Sequence, residues 1–431
     1  MLKRGHLTTF SLLAALVILL TACRSEGDYL TPVPTRAAPT ATRVATATPT
    51  PVAVVTHKPP TPAIITPTPT PVREETTRDV KIGFAFALSG DSADTGASQK
   101  AAAQMALEEI NAAGRGPKLV GIFEDTAGDP DNALTRFQKM INIDKVDAII
   151  GPTLSNEARS ADSEAQKSKV PVLAVSNTAS GITDIGDYIF RDSLAEFDVI
   201  PATIKMAKEK LNVDKVSLLY ARDDAFSKSA ADVFRTELQR NSIEILSEQT
   251  FLTLDTGFEP LLQAVKVEEP DAIVVSALAK PAQMILQQAR NEVGIDPTVQ
   301  IIGGSGFSSP SVIAAAGPAA EGLVIGTAWS PNAPGETSEK FVANYNKRTG
   351  NNPDQVAAQA YAGVHIMYDA IVRAGVSGKS LADTRTAIRD ALNNTNDVET
   401  VLGSFSFTDQ RDADHPPVIQ IVKDGKLEVV K

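Results

Sequence analysis

The stretch that decides the fold covers residues 80–113 and reads VKIGFAFALSGDSADTGASQKAAAQMALEEINAA. Its beginning, VKIGFAFA, is almost continuously apolar, which is typical of a strand buried on both faces of a parallel sheet. From Gly96 to Ala113 the apolar residues instead return with the spacing of a helix. A buried strand followed directly by a helix predicts a parallel α/β sheet.

The same alternation continues to about residue 175. Further apolar runs are KLVGIFED (118–125), VDAIIG (146–151) and VPVLAV (170–175). Helices are predicted to begin between these runs, at Asp129-Pro130 and at Ser155. Asp followed by Pro is a typical helix start, and serine is a favoured residue at a helix N-terminus. The first unit is therefore predicted to be a parallel sheet covered by helices on both faces.

A second unit begins after Ser193. Its helices are predicted at Glu196–Lys210, Ser227–Gln239, Phe258–Val267 and Pro281–Glu292, between the apolar runs KVSLLY, SIEILSEQTF, DAIVVSA, VQIIGG and GLVIGTAW. Three helices and a hairpin then follow: Glu336–Arg348, Asp354–Ala374, Ser380–Leu392 and VIQIVKDGKLEVV. These three helices lack strands for a third sheet, so the chain is predicted to cross between two doubly wound, Rossmann-like lobes more than once.

Composition restricts the possible partners and cofactors. The chain has 431 residues, of which 43% are hydrophobic, and 41 basic residues against 52 acidic ones give a net charge of −11. No basic face rich in aromatic residues is present, so nucleic acid is excluded as a partner. One cysteine and four histidines are too few and too scattered for a Cys/His zinc site. No metal and no cofactor are predicted.

The N-terminus has the pattern of an export signal. Lys3 and Arg4 precede an apolar segment of 11 residues at 10–20, which is shorter than the roughly 20 residues of a membrane-spanning helix. Leu20-Thr21-Ala22-Cys23 resembles the lipobox of bacterial lipoproteins, so residues 1–23 are predicted to be a lipoprotein signal peptide and Cys23 to carry lipid. The alternatives are an uncleaved anchor or a conventional signal peptide, both of which also export the chain.

Residues 24–78 are predicted to be a disordered tether. Between Thr31 and Val72 there are 11 prolines and 12 threonines, with no acidic residue, glycine or aromatic residue. Such a segment cannot bury enough apolar surface to offset the loss of chain entropy, and it favours extended polyproline II. We expect a stalk that holds the folded part away from the membrane.

Several stretches resemble one known family. They are VKIGFAFALSGDSADTGASQKAAAQMALEEINAAG, FEDTAGDPDNA, DAIIGPTLSNEA, VPVLAVSNTASGIT, LLYARDDAFSKS and MILQQARNEVG. All are similar to the leucine/isoleucine/valine-binding proteins of ABC transporters, which are type I periplasmic binding proteins. The resemblance implies two lobes, 79–195 plus 328–404 and 196–327 plus 405–431, joined by three crossovers around a cleft that closes by hinge motion on a small amino acid, amide or carboxylate. It also implies an ABC permease as partner.

The resemblance assigns ligand-binding residues on the first lobe. Leu154 and Ser155 stand where the family binds a ligand carboxylate at a helix N-terminus, although Ser155 could equally be a simple helix cap. Ser176, Asn177 and Thr178 match the position that holds the amino-acid head group. A turn that uses serine and asparagine for local hydrogen bonds would have the same sequence.

On the opposite lobe the resemblance places Phe226, Leu278 and Ser305 in the cleft, with Thr95 facing them from the first lobe. Phe226 replaces a tyrosine, while Thr95 and Leu278 replace positions that are often aromatic. Together with Phe307, Phe226 and Leu278 are predicted to form an apolar wall.

Ser305 replaces a carboxylate that amino-acid binders use to pair with the ligand ammonium, and a buried ammonium without a partner costs several kcal/mol. Asp223 or Asp224 is the candidate to supply that charge, although the same sequence favours both as solvated loop residues. Without such a substitute, the head-group site for a standard amino acid is predicted to be incomplete.

Enzyme motifs fail in this chain. Residues 303–307, GGSGF, lack the final glycine of a nucleophile elbow, and no phosphate-binding loop or metalloprotease motif is present. The sequence therefore predicts a lipid-anchored, extracytoplasmic solute-binding protein. The alternative is a ligand-sensing module of the same fold, partnered with a membrane signalling protein.

Overall fold

The computed structural model describes residues 78–332 and 335–430. The predicted signal peptide with Cys23 and all of the predicted tether except Arg78 lie outside the described residues. Arg78 donates hydrogen bonds to both carboxylate oxygens of Asp147, at 2.5 and 2.9 Å, so this residue is attached to the folded part. Within the described part of the chain, no helix combines the length and apolarity needed to cross a membrane.

The first lobe is built on a parallel sheet with the strand order β2-β1-β3-β4-β5. Its strands are β1 (Val80–Phe86), β2 (Leu119–Asp125), β3 (Ala148–Ile150), β4 (Val172–Ala174) and β5 (Ile189–Arg191). The helices between them are α1 (Ala93–Ala113), α2 (Pro130–Lys139) and α3 (Ser155–Lys167). A π-helical turn, Met140–Asp144, extends α2. The predicted start of α2 is confirmed, since Asp129 accepts a hydrogen bond from the Asn132 N–H.

The second lobe is built on a mixed sheet with the order β15-β14-β10-β9-β8-β6-β7. Its strands are β6 (Lys215–Ala221), β7 (Glu244–Phe251), β8 (Ala272–Ser276), β9 (Gln300–Gly303), β10 (Val324–Thr327), β14 (Val418–Lys423) and β15 (Lys426–Val429). The helices are α4 (Glu196–Leu211), α5 (Ala225–Arg240), α6 (Glu259–Glu268), α7 (Ala279–Gln287) and α8 (Pro310–Ala316). Strands β14 and β15 form the predicted terminal hairpin and pair antiparallel with β10 and with each other.

The chain returns to the first lobe after β10. It forms α9 (Glu336–Thr349), α10 (Gln355–Ala374), α11 (Leu381–Asn393) and the small strands β11 (Val398–Thr400), β12 (Gly403–Phe407) and β13 (Ala413–Asp414). The sequence placed the second lobe from residue 405 onward. In the structure, Phe405 and Ala413 pack in the core of the first lobe, and the chain crosses back only after β13. The three crossovers therefore follow β5, β10 and β13.

Both sheets are covered on both faces, as the continuous apolar runs predict. In β8, Ile273 and Val275 face one apolar core, while Ala272 and Val274 face another. In β1, Phe84 and Phe86 face α1 and α10, and Ala85 faces the opposite core. Burial on both faces removes the polar alternation that a half-exposed strand would show. In parallel strands the carboxyl ends lie on the same side of the sheet. The site described next lies at these carboxyl ends.

Candidate functional site

A cavity of about 80 Å³ lies between the two lobes, near the carboxyl ends of their strands. Eight of the nine ligand-binding residues predicted from the sequence line it: Thr95, Leu154, Ser155, Ser176, Thr178, Phe226, Leu278 and Ser305. The ninth, Asn177, is buried behind the lining, where its side-chain Nδ2 donates to the carbonyl of Pro152 at 3.0 Å. Asn177 therefore holds the loop in place rather than facing the cavity.

The N-terminus of α3 forms one end of the cavity. Ser155 is the first residue of the helix and Leu154 occupies the cap position, so Ser155 is not the cap. The first intrahelical hydrogen bond runs from the Ala158 N–H to the Leu154 carbonyl, which leaves the N–H groups of the first turn without intrahelical acceptors. The Ser155 hydroxyl accepts from the Ala179 N–H at 3.3 Å and keeps its own proton to donate. This end of the cavity can bind an anion.

Glu157 lies in the same first turn, where a negative charge would repel a bound anion. Its Oε2 accepts from the Leu154 N–H at 2.8 Å. Burial raises the pKa of Glu157 to about 7, against the opposing effect of the nearby Thr126 hydroxyl and of the hydrogen bond from the Leu154 N–H. At neutral pH a large fraction of Glu157 is therefore uncharged, and the anion-binding character of the helix terminus is preserved.

The loop after β4 lies beside this helix terminus. The Ser176 hydroxyl donates to the carbonyl of Thr153 at 2.6 Å and accepts from Gln99 Nε2 at 2.8 Å. The Thr153 hydroxyl in turn donates to Gln99 Oε1 at 2.7 Å. These hydrogen bonds join β3, β4 and α1, so the loop that carries Ser176 and Thr178 is held rigidly against the cavity.

Glu196 is a second polar group that lines the cavity, and sequence reasoning missed it. It is the first residue of α4, immediately after the first crossover, and its side chain is buried. Its Oε1 accepts from the Thr178 and Ser305 hydroxyls, each at 2.9 Å. Its Oε2 has no hydrogen-bond partner among the described residues. Burial raises the pKa of Glu196, while those two hydroxyls and the nearby Arg191 act to lower it.

The expectation of an incomplete head-group site is therefore wrong in its physical basis, because Glu196 brings a carboxylate to Ser305. Neither Asp223 nor Asp224 lines the cavity. Asp224 caps α5 by accepting from the Ser227 N–H at 2.7 Å, and Asp223 accepts from the Thr253 N–H at 2.9 Å. The only sequence signal for Glu196 is an acidic residue at a helix start, which ordinarily indicates no more than a favourable interaction with the helix dipole.

Apolar side chains line the rest of the cavity. Phe226 and Leu278 come from the second lobe, and Leu194 and Val199 lie at and after the first crossover. Phe307 does not line the cavity, because it packs in the core between β8, α7 and β10. The turn that carries Ser305 approaches β8 closely: a Cβ on Gly306 would lie 2.0 Å from the Ala277 carbonyl oxygen, so only glycine fits there.

Within the described residues, no group of three or more His, Cys, Asp or Glu side chains is arranged to hold a metal ion. The cavity instead offers hydroxyls, backbone N–H groups, the buried carboxyl groups of Glu196 and Asp354, and an apolar wall. Asp354 Oδ1 already accepts from the Ser98 hydroxyl and from the Ala357 N–H. These are groups that bind a small organic solute.

Comparison with known proteins agrees with this geometry. The sequence profile of the periplasmic binding protein family matches residues 79–426. The chain belongs to the type I periplasmic binding proteins, in the leucine/isoleucine/valine-binding family. This periplasmic binding protein is thus an extracytoplasmic solute-binding protein, and the family's members are not enzymes.

Its relatives bind different solutes. Leu/Ile/Val-binding protein homolog 7 of Brucella abortus is 25% identical over 378 residues, which cover 82% of this periplasmic binding protein and 91% of the relative. The branched-chain amino acid transporter substrate-binding protein LivJ of Streptococcus pneumoniae, solved with isoleucine, is 30% identical with a TM-score of 0.75, covering 82% and 99% of the two chains. A solute-binding protein of Rhodopseudomonas palustris, solved with 3,4-dihydroxybenzoic acid, is 27% identical with a TM-score of 0.72, covering 81% and 95%.

Proposed function

We propose that this protein is the lipid-anchored receptor of an ABC importer and that it captures a small zwitterionic amino acid. The observation that carries the proposal is the presence of two complementary polar groups in one cavity. The α3 terminus with Ser155 presents N–H and hydroxyl donors to a carboxylate, and Glu196 presents an unpartnered carboxylate oxygen to an ammonium group. The two groups lie beside neighbouring residues, since Ser155 accepts from the Ala179 N–H and Glu196 accepts from the Thr178 hydroxyl. An α-amino acid carries a carboxylate and an ammonium group on the same carbon atom.

The cavity is small, with about 80 Å³ of space, so it favours a small solute. Alanine, serine, threonine and valine have between six and eight non-hydrogen atoms. The apolar wall of Phe226 and Leu278 suits a short aliphatic side chain in this range.

The charge balance favours an amino acid over a simple carboxylic acid. A benzoate or a short fatty acid would satisfy the α3 terminus but would leave Glu196 Oε2 buried without a partner. A buried charge without a partner costs several kcal/mol, unless the group takes up a proton. An amino acid offers its ammonium to that oxygen, so binding and charge compensation occur together.

Hinge closure is part of the proposal. The cavity is lined from both lobes, and the Thr178 hydroxyl of the first lobe donates to Glu196 of the second lobe. A ligand enters such a cavity only when the lobes separate about the three crossovers, and it is enclosed when they close. A permease could then distinguish the closed, loaded receptor from the open one.

The anchor is proposed from the sequence around Cys23, the only cysteine of the chain. Mass spectrometry of the membrane fraction should find Cys23 at the N-terminus and lipid-modified. An intact N-terminus with an unmodified Cys23 would contradict the anchor and would leave the solute-binding proposal unaffected.

The ligand class is tested by a thermal-shift screen of the standard L-amino acids, aromatic acids and short aliphatic acids, followed by calorimetry. We expect one or more amino acids of alanine to valine size to raise the melting temperature by several degrees. If only carboxylic acids without an amino group do so, the proposed ligand class is wrong.

A further inference from the structure

The two lobes are joined beside the cavity through the first turns of α3 and α5. Asn156, the second residue of α3, makes two hydrogen bonds to the second lobe. Its Oδ1 accepts from the Ala225 N–H at 2.9 Å, and its Nδ2 donates to Asp224 Oδ1 at 3.2 Å. Asn156 thus satisfies the first N–H of α5 and the carboxylate that caps α5, and it uses both halves of its amide.

A second pair of hydrogen bonds lies next to the first. The Ser180 N–H donates to Ser229 Oγ at 2.8 Å, and the Ser229 hydroxyl donates to Ser180 Oγ at 3.0 Å. Other contacts between the lobes do not involve α5. The Thr178 hydroxyl donates to Glu196, and Gln355 Nε2 donates to the Ser308 hydroxyl at 2.8 Å. The ion pair of Lys280 with Asp91 is about half exposed on both sides and contributes little. The partly buried contacts between α5 and the first lobe are therefore those of Asn156 and Ser180.

These contacts follow the proposed ligand-binding residues directly in the chain. Asn156 comes immediately after Ser155, and Ser180 comes two residues after Thr178. A ligand that orders the backbone at Ser155 and Thr178 therefore also orders the two residues that hold α5.

Electrostatics also couple ligand binding to closure of the lobes. Each helix N-terminus carries the equivalent of about half a positive charge, so bringing the first turns of α3 and α5 together is unfavourable. The Asp224 carboxylate offsets this charge on α5. A ligand carboxylate at Ser155 would offset it on α3, so that an anionic group in the cavity favours the closed arrangement.

We propose that Asn156 is the positioning residue that couples ligand binding at the α3 terminus to closure of the lobes. The ligand part of this coupling rests on the proposed function, whereas the contact between the lobes does not. The position requires a donor and an acceptor at once. Aspartate would retain the acceptor for Ala225 but would place a carboxylate against Asp224, and alanine would remove both hydrogen bonds.

Disulfide trapping measures closure without requiring a ligand. In the full chain with Cys23→Ser, the pair Ser180→Cys and Ser229→Cys supplies the only two thiols. The native Oγ atoms are 3.0 Å apart, so sulfur atoms at these positions can reach the bond length of about 2.05 Å after a small shift. The rate of disulfide formation under oxidised glutathione then reports how often the lobes are closed.

Asn156→Ala in this background should slow disulfide formation about tenfold or more, because a hydrogen bond to a carboxylate is lost together with one to an N–H group. Asn156→Asp should slow it at least as much without lowering the melting temperature, since an acidic residue favours the first turn of α3. Asn344→Ala is the matched control: it removes an asparagine that donates to Glu109 on the outside of the first lobe. Equal rates in the parent chain and in the Asn156 variants would overturn the proposal.

Addition of L-valine separates this inference from the proposed function. We expect 1 mM L-valine to speed disulfide formation in the parent pair and to do so less in the Asn156→Ala chain. If the Asn156 variants are slow but no amino acid changes any rate, the proposed ligand class fails and the positioning role stands. If L-valine binds and speeds all chains equally, the positioning role fails and the ligand class stands.

Discussion

The two ends of the cavity are built in opposite ways. The end at α3 consists of neutral donors, namely backbone N–H groups and the Ser155 hydroxyl, on a continuous stretch of the first lobe. The end at Glu196 is a single buried carboxylate that receives hydroxyls from two lobes, Thr178 on one side and Ser305 on the other. The first end can be recognised from a local motif, whereas the second exists only after the chain has crossed between the lobes.

The largest effect is expected from Glu196→Gln. It removes the carboxylate whose Oε2 has no other partner among the described residues and keeps the size of the side chain. Loss of one partner of a buried ion pair costs about 3–5 kcal/mol, so affinity for the amino acid should fall by a factor of roughly 100 or more in calorimetry.

In the absence of ligand, Glu196→Gln should stabilise the protein. Because burial disfavours the charged form of Glu196, Glu196→Gln is expected to melt at a higher temperature than the parent chain at pH 8. A lower melting temperature combined with unchanged affinity would contradict the role assigned to this end.

Changes at the α3 end should have the next largest effect. Ser155→Ala removes a donor to the ligand carboxylate, and loss of a hydrogen bond to a charged group costs about 1.5–3 kcal/mol, or ten-fold to more than a hundred-fold in affinity. Glu196 is unaffected by this change, so selectivity for amino acids over amines should fall as well. Asn344→Ala, which alters the outside of the first lobe, is the control for direct contact.

Ser305→Glu should weaken binding, in contrast to what the family pattern alone suggests. The new carboxylate would face Glu196, and two buried carboxylates in contact cannot both stay ionised. We expect about a tenfold loss of affinity and, because a bound ammonium favours ionisation of both carboxyl groups, proton release on ligand binding, seen in calorimetry as a dependence on the ionisation enthalpy of the buffer. Tighter binding of leucine or valine by this variant would show that Glu196 does not serve as the ammonium partner.

Particular helices and strands show how much of the fold the sequence could predict. The predicted helices Glu196–Lys210 and Ser380–Leu392 are confirmed to within one residue, because each has a strong apolar period and a clear start. Strands β5, β11, β12 and β13 were not predicted, because they lie outside the apolar runs that mark β3 and β4, although β3 and β4 are no longer than β5 and β11 and are shorter than β12. Phe405 was assigned to the other lobe because nothing local marks the place where a chain crosses.

The residues of the site also differ in how far a local motif predicts them. Ser155 and Thr178 follow buried strands in recognisable motifs, so their position at the sheet edge could be inferred. Glu196 begins a helix, and the contact that gives it a role, from Ser305, spans 109 residues of sequence. Long-range contacts of this kind leave no local pattern.

The titration of Glu157, in the first turn of α3, is expected to change ligand binding least and to appear instead in the stability of the protein. Its pKa is raised from 4.5 to about 7, so the folded state binds a proton more tightly than the unfolded chain does. The free energy of unfolding should therefore fall as the pH rises from about 4.5 to 7, by about 3 kcal/mol from this group. Urea unfolding at several pH values should show a flatter profile for Glu157→Gln, and an unchanged profile would contradict the assignment.

The most direct test of the account compares L-valine with two relatives that each lack one charge. Isovaleric acid keeps the carboxylate and lacks the ammonium group, and isobutylamine keeps the ammonium group and lacks the carboxylate. Calorimetry on the unmodified protein should find L-valine bound at least about a hundred times more tightly than either, because each analogue leaves one end of the cavity unpaired. If isovaleric acid binds as tightly as L-valine, Glu196 does not select an ammonium group and the central claim is wrong.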